Sequence, residues 1–362
     1  MNAGDANAGL DELPKESSVE SRLRRELHRA HLSVSQYIDG ILSGNRSILA
    51  KAITLVESTH PADSEMAADI VETCLRQAVD PIIVGVSGVP GAGKSSLIEV
   101  IGKHIIETRG EKVAVLAIDP SSRLSGGSIL GDKTRMPFLA SSEMAFIRPS
   151  PSRGRLGGVA DHTRDAIVLC EAAGYRNVLI ETVGVGQSET TVRDMVDFFL
   201  LMAIAGAGDE LQGIKRGVME MADAVVVNKA DEGNIRRAET ARAEAESALH
   251  LLSPSVSGWT PRAIACSARS GLGVAEIWAM ILEHHRMICE NGYLKRMRRE
   301  QTLRWLHESV ERGLMQMFLS SATVQQRFAE VEEEVAAGQM SAVAAARRLL
   351  SMWQSDRAQR SP

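Results

Sequence analysis

A glycine-rich loop set between an apolar run and a helical pattern constrains this chain more than any other feature. Ile82–Val86 is short, apolar and rich in β-branched residues, the pattern of a strand buried on both faces. It leads into Gly88, Val89, Pro90, Gly91, Ala92, Gly93, Lys94 and Ser95, which fit G-x-x-x-x-G-K-[ST], and Ser96–Ile106 reads as a helix. A strand, a glycine loop and a helix start are the context in which this spacing cradles phosphate: the glycines turn backbone N–H groups inward and the helix adds positive dipole potential. Lys94 is expected to reach the β- and γ-phosphates, Ser95 to ligate Mg²⁺, and Ser96 to lie beside them at the helix start. The motif therefore predicts a nucleoside triphosphate site.

Further apolar runs follow with helical patterns between them. Strands are expected at 112–118, 144–148, 177–180, 197–204, 221–227 and 261–265, and helices at 159–173, 235–252 and 271–289. Pro149–Gly158 reads as a flexible loop. Alternating strands and helices with short connections imply an α/β fold with a mostly parallel, doubly wound sheet. Residues 1–17 read as a disordered tail and 18–78 as a helical extension, with helices at 34–42, 47–57 and 64–78 and caps at Asn45 and Asp63. The nucleotide domain is expected over 79–290. A C-terminal helical region, 291–362, carries apolar Leu303, Leu306, Val310, Leu314 and Met317 at helical spacing, which suggests self-association.

The 44% hydrophobic and 24% charged content is that of an ordinary globular protein, and 4% aromatic residues leave the core to aliphatic side chains. A net charge of −5 argues against non-specific nucleic-acid binding. No apolar run is long enough to span a bilayer. The first residues have neither an apolar signal core nor arginine, so a cytoplasmic protein is expected. Cys74, Cys170, Cys266 and Cys289 show no metal or disulfide spacing and read as core residues; His284-His285 reads as a surface or satisfied pair.

Motifs downstream of the glycine loop fall in the order of a GTPase. Asn228-Lys229-Ala230-Asp231 fits N-K-x-D, where the carboxylate can pair with guanine N1–H and the 2-amino group, which adenine does not offer in that arrangement. Ser267-Ala268-Arg269, at the next strand end, is expected to present backbone N–H to the guanine O6. Glu181 stands where P-loop enzymes carry a metal-binding acid, and Gly184 where a glycine N–H senses the γ-phosphate. Asp119 and Asp132 are further candidate metal ligands. Val185 follows Gly184 where Ras-like enzymes place a water-orienting glutamine, and Gln187 comes two residues later, which predicts slow hydrolysis unassisted. Arg148, Arg153 and Arg155 are candidates for transition-state charge or partner contact. The loop Gly208–Gly217, with Asp209, Glu210, Gln212, Lys215 and Arg216, suits a nucleotide-reading switch.

Taken together, GVPGAGKSS, DPSS, GGSILGDKTRM, RPSPSRGRLGG, ETVGVGQSE, GAGDELQGIKRG and VNKAD closely resemble the MeaB/ArgK family, from about Leu42 to Trp305. The resemblance implies a SIMIBI-branch GTPase that chaperones adenosylcobalamin-dependent acyl-CoA mutases, gating cofactor loading of methylmalonyl-CoA mutase or a relative and protecting it from inactivation. It implies phosphate and Mg²⁺ contacts at Lys94 and Ser95, a metal network of Asp119, Asp132 and Glu181, guanine recognition at Asp231, a switch lysine at Lys215, and a homodimer joined through C-terminal helices. Adenosylcobalamin enters only through the partner mutase. Arg153 and Arg155 make their loop more basic than the family pattern. The competing expectation is a P-loop kinase acting on a small molecule or transport protein, which needs an acceptor pocket and a base. A metal-insertion GTPase would normally show a Cys- or His-rich segment.

Overall fold

The structure is a computed structural model that describes residues 32–58, 60–77, 80–119, 135–151, 156–182, 188–204, 216–231, 233–252 and 255–360. Its centre is a sheet of seven strands: β1 (Ile82–Gly88), β2 (Val113–Asp119), β3 (Ala145–Pro151), β4 (Asn177–Thr182), β5 (Phe198–Ile204), β6 (Ala224–Asn228) and β7 (Arg262–Ala265). Their order is β3-β2-β4-β1-β5-β6-β7, and every neighbouring pair is parallel. The doubly wound α/β reading is thus realised.

Apolar runs without alternation form these strands because both faces are covered. Val84, Val86, Leu179, Phe198, Leu200 and Met202 pack into one core with the Lys94–Arg109 and Val274–Glu290 helices. Ile83, Val178, Ile180, Phe199, Leu201 and Val225 enter the other, with the Leu156–Ala172 and Ile235–His250 helices and the N-terminal helices Val34–Leu42, Arg46–Val56 and Pro61–Leu75. Beyond the sheet, Tyr293–Leu319 leads to the Ala322–Ala336 and Ala342–Arg360 helices, which share a small core at Val331, Ala345 and Leu349.

Several expectations need correction. The Pro149–Gly158 stretch is not all loop: β3 runs to Pro151, in register with β2 as far as Asp119, and a helix begins at Leu156. Asn45 caps its helix, accepting from Ser47 N and Ile48 N at 3.0 and 3.2 Å. Asp63 does not; His60 is the N-cap with Pro61 following, and Asp63 accepts instead from the Ser58 hydroxyl at 2.6 Å. Cys74, Cys170 and Cys266 are buried, but Cys289 is exposed, with Sγ 3.5 Å from His285 Nε2 on the same helix face. The two histidines differ: His284 is buried edge-on to the Phe198 and Trp259 rings, whereas His285 is only half-buried. Arg148, a candidate for transition-state charge or partner contact, lies in β3 and pairs with Glu57 and Thr54 of the preceding helical region.

Candidate functional site

The ends of β1, β4, β6 and β7 converge at one edge of the sheet, where open α/β folds place their ligands. β1 and β4 are paired so that Val86 lies opposite Glu181, which brings that carboxylate level with the mouth of the glycine loop. A buried 2.9 Å bond from the Thr182 hydroxyl to Ser87 Oγ ties the two strand ends together one residue later.

The loop backbone needs its glycines at two points. At Gly88, with φ +146°, a Cβ would come within 2.3 Å of the Met202 carbonyl oxygen of neighbouring β5. At Gly93, with φ +90°, a Cβ would meet Asn228 Nδ2 at 2.6 Å. Gly93 is also the N-cap of the Lys94–Arg109 helix, and no side chain caps that terminus. Its first N–H groups have no intrahelical acceptor, so the terminus has the character an anionic phosphate fits.

Lys94 Nζ donates to the Gly88 and Val89 carbonyls at 2.9 and 3.2 Å, which holds the ammonium inside the loop. Burial pulls this ammonium below its ordinary range, while the charges of Glu181 and Glu189 act in the opposite direction. Ser95 Oγ donates to Glu181 Oε1 at 2.6 Å, both side chains being buried. Two hard oxygen donors next to a phosphate cradle are the chemistry Mg²⁺ selects. Among the described residues no group of three or more His, Cys, Asp or Glu could by itself hold a metal. Asp119 ends β2, but its side chain, like the whole of Asp132, lies outside the described residues, as do Gly184, Gln187, Arg153, Arg155, Lys215 and all of Gly208–Gly217 before Arg216.

Asn228 joins the base end to the phosphate end. Its Nδ2 donates to the Ala92 carbonyl at 2.7 Å, and its Oδ1 accepts from Ala268 N at 3.0 Å. Lys229, next in the chain, has φ +66°, a left-handed conformation uncommon outside glycine, and its carbonyl accepts from Asn234 Nδ2 at 2.9 Å. The turn aims Asp231 toward β7, where the buried Ser267 hydroxyl donates to Asp231 Oδ1 and accepts from Ser270 N at 3.1 Å. Ser267 N–H is itself given to the Leu272 carbonyl at 3.0 Å, so this residue contributes through its hydroxyl more than its backbone. A carboxylate held at one oxygen keeps the other for a donor pair on a base.

Two participants were not marked by sequence reasoning. Glu189 is almost wholly buried in the first turn of the Ser188–Arg193 helix, and its charge acts on Lys94. Asn234 fixes the left-handed turn. Glu189 is the last residue of the ETVGVGQSE string, which assigns it no role of its own; Asn234 lies in none of the strings.

A family model described as Methylmalonyl Co-A mutase-associated GTPase MeaB matches residues 49–323. GTPase ArgK of Escherichia coli is 46% identical over 283 residues, 78% of this chain and 85% of that protein. The mouse methylmalonic aciduria type A homolog, mitochondrial, is 44% identical over 332 residues, 89% of this chain and 80% of the relative. A crystal structure of LAO/AO transport system kinase superimposes with a TM-score of 0.70 at 36% identity, covering 89% of this chain and 98% of that one.

Proposed function

The chain belongs to the MeaB family of methylmalonyl-CoA mutase-associated GTPases, and on that premise we propose that it is a GTP-driven chaperone that gates adenosylcobalamin loading of an acyl-CoA mutase and protects the loaded enzyme. GTP hydrolysis is the activity of the family; the client, methylmalonyl-CoA mutase or a relative, is the part proposed. The observation that carries the reading is Asn228, which bonds the phosphate loop at Ala92 and the base loop at Ala268 and so joins both ends into one purine nucleotide crevice.

In this reading Lys94 leaves the Gly88 and Val89 carbonyls for the β- and γ-phosphates, while the N–H groups of Gly91 and of Gly93 to Ser96 hold the phosphate oxygens; Pro90 has none, and that of Ala92 is given to the Val89 carbonyl. Asp231 selects guanine, steadied by Ser267, with Lys229 and Arg269 flanking the base. Ser95 and Glu181 would hold Mg²⁺, joined by Asp119 and Asp132; the ion would neutralise charge that builds on the phosphate oxygens. Gly184 and Lys215 carry the family's γ-phosphate and switch roles. The exposed stripe Leu303, Leu306, Val310, Leu314 and Met317 suits a homodimer made by the C-terminal region 291–362, with 79–290 as the hydrolytic unit and 18–78 as its helical extension. Among the described residues no helix is long and apolar enough to cross a membrane, and the proposed site of action is the cytoplasm.

A P-loop kinase is the second reading, and the name of the solved LAO/AO transport system kinase favours it. Phosphate release measured with GTP and with ATP, with and without methylmalonyl-CoA mutase, separates the two. The chaperone reading expects GTP preference and acceleration by the mutase. ATP preference with phosphate transferred to an acceptor would replace it.

A further inference from the structure

The Tyr293–Leu319 helix has two opposite faces. Leu303, Leu306, Val310, Leu314 and Met317 are exposed along one. Arg298, Gln301, Arg304, Trp305 and Glu308 recur at three- and four-residue intervals along the other, and that face is docked.

What it grips is the short stretch Asp194–Asp197 between the Ser188–Arg193 helix and β5. Arg298 forks onto Asp197, Nε to Oδ1 at 3.0 Å and Nη2 to Oδ2 at 2.7 Å, and also donates to Asp80 Oδ1 at 2.9 Å. Gln301 Nε2 donates to the Val196 carbonyl at 3.2 Å, and Arg304 pairs with Asp194. Arg164 is shared between the two sides: Nη2 donates to the Asp194 carbonyl at 3.3 Å, the guanidinium lies over the Trp305 ring at 5.6 Å, and Nη1 is 3.9 Å from Glu308. The gripped stretch is joined to the phosphate-binding strand as well, because Asp197 N donates to the Ile83 carbonyl at 2.9 Å and Asp197 Oδ2 accepts from Ile83 N at 3.0 Å. Val192 and Val196 close over Gly85 of β1.

We infer that Gln301 and Arg304, with Arg298 behind them, are positioning residues for GTP hydrolysis: by fixing Asp194–Asp197 they set the Ser188–Arg193 helix against β1, the strand that runs into the phosphate loop. The coupling runs through β1. Asp197 is bonded to Ile83 through both its N–H and its carboxylate, and Val192 and Val196 lie over Gly85, so a shift of Asp194–Asp197 moves the strand that runs into the phosphate loop and Lys94. Such a shift misplaces the groups that meet the transferring phosphate without touching the nucleotide. The C-terminal helix is then part of the hydrolytic machine and not only an appendage to it.

This rests on the phosphates lying at Lys94, and the two fail differently. If the wild-type chain does not bind GDP, the placement is wrong; if it binds and hydrolyses but the variants match it, only the inference is wrong. The experiment uses full-length protein with Arg304→Ala and Gln301→Ala; Arg304 is exposed and Gln301 half-buried, and a single rim ion pair or amide contributes little to stability. Steady-state GTP hydrolysis, GDP affinity and the thermal midpoint are measured for each. The expected result is a kcat lowered about five- to tenfold, with KM and GDP affinity held within about twofold and the midpoint within about 2 °C. The charge-swapped pair Asp194→Arg with Arg304→Asp should recover most of the rate lost by either change alone. Unchanged kcat in both single variants overturns the inference. So does a loss of kcat that tracks loss of GDP binding and melting temperature, since that is what a merely structural contact would give.

Discussion

Ser95 Oγ donates to Glu181 Oε1 at 2.6 Å, although the two residues come from the phosphate helix and from β4. The pairing of Val86 with Glu181 across β1 and β4 makes this meeting a consequence of sheet register. Each oxygen would face a divalent ion once a triphosphate is bound. Glu181→Gln keeps the shape and the hydrogen bond but removes the charge. It should bind GDP within about threefold of wild type and lose about 100-fold in kcat, the scale of one charge-assisted contact to a transferring phosphate. Nucleotide titration and phosphate release at saturating Mg²⁺ check this; an undiminished rate would remove Glu181 from the metal site.

Asp231 is held by the Ser267 hydroxyl, which fixes one carboxylate oxygen. Asp231→Asn replaces an acceptor by a donor opposite the guanine N1–H and 2-amino group. GTP affinity should fall at least about 100-fold, because a buried donor pair is left unmatched. Xanthosine triphosphate, with a carbonyl in place of the 2-amino group, should be favoured instead. Ser267→Ala should cost GTP about 1 kcal/mol, the worth of one orienting hydrogen bond. Competition against labelled GDP reads both.

Much of this architecture could be read from residue order. Unbroken apolar runs ending in a glycine loop, in Glu181 and in Asn228 specify buried parallel strands and put their chemistry at one edge. Other features are set by contacts between residues distant in the chain. Glu189 closes the ETVGVGQSE string, but nothing in the string says that it is almost wholly buried. Arg148 closes the strand expected at 144–148, but the extension of β3 to Pro151 is decided by pairing with β2, and the salt bridge of Arg148 to Glu57 crosses 91 positions. Cys289 sits in an apolar-looking helix, yet the face it occupies is exposed.

Gly93 combines two constraints. Its φ of +90° disfavours any L side chain, and an added Cβ would strike Asn228 Nδ2 at 2.6 Å. Gly93→Ala should therefore destabilise the fold by about 2 kcal/mol and also push Asn228 off the Ala92 carbonyl. Guanine nucleotide affinity should drop more than the stability loss alone explains. Chemical denaturation alongside GDP titration gives both numbers, and a variant that binds GDP normally would refute the crowding.

Arg298 and Asp197 form the most buried ion pair of the Tyr293–Leu319 helix among the described residues, with Asp197 2% exposed. Removing the cation leaves a buried carboxylate with the Ile83 N–H as its remaining close donor. Arg298→Met should lose about 3 kcal/mol, whereas Arg298→Met with Asp197→Asn should lose markedly less, since the stranded charge is then gone. Urea unfolding of the three proteins measures the difference. Equal losses in the single and double variants would mean that packing of the Arg298 stem, not charge, holds the helix.

His284 packs between Phe198 and Trp259, and burial, helped by the Arg193 charge, pulls its imidazole down to about 4. The unfolded chain binds a proton near 6.5, so its neutral form stabilises the fold above that pH, and this contribution is lost as pH falls from about 6.5 toward 4. The full loss is of order 3 kcal/mol at about 1.4 kcal/mol per unit. Glu171 works in the opposite sense. Burial, with the charges of Asp197 and Asp80, raises its carboxyl to about 7, so its protonation favours the fold as pH falls from about 7 to 4.5. The two partly cancel in the wild type, whose acid sensitivity is therefore muted over this range. His284→Phe keeps an aromatic ring and deletes only the first contribution. Its stability relative to wild type should rise by about 2 kcal/mol between pH 7.5 and pH 5 in urea unfolding. A difference independent of pH would show that His284 is charged in the folded protein or that the ring is reached by water.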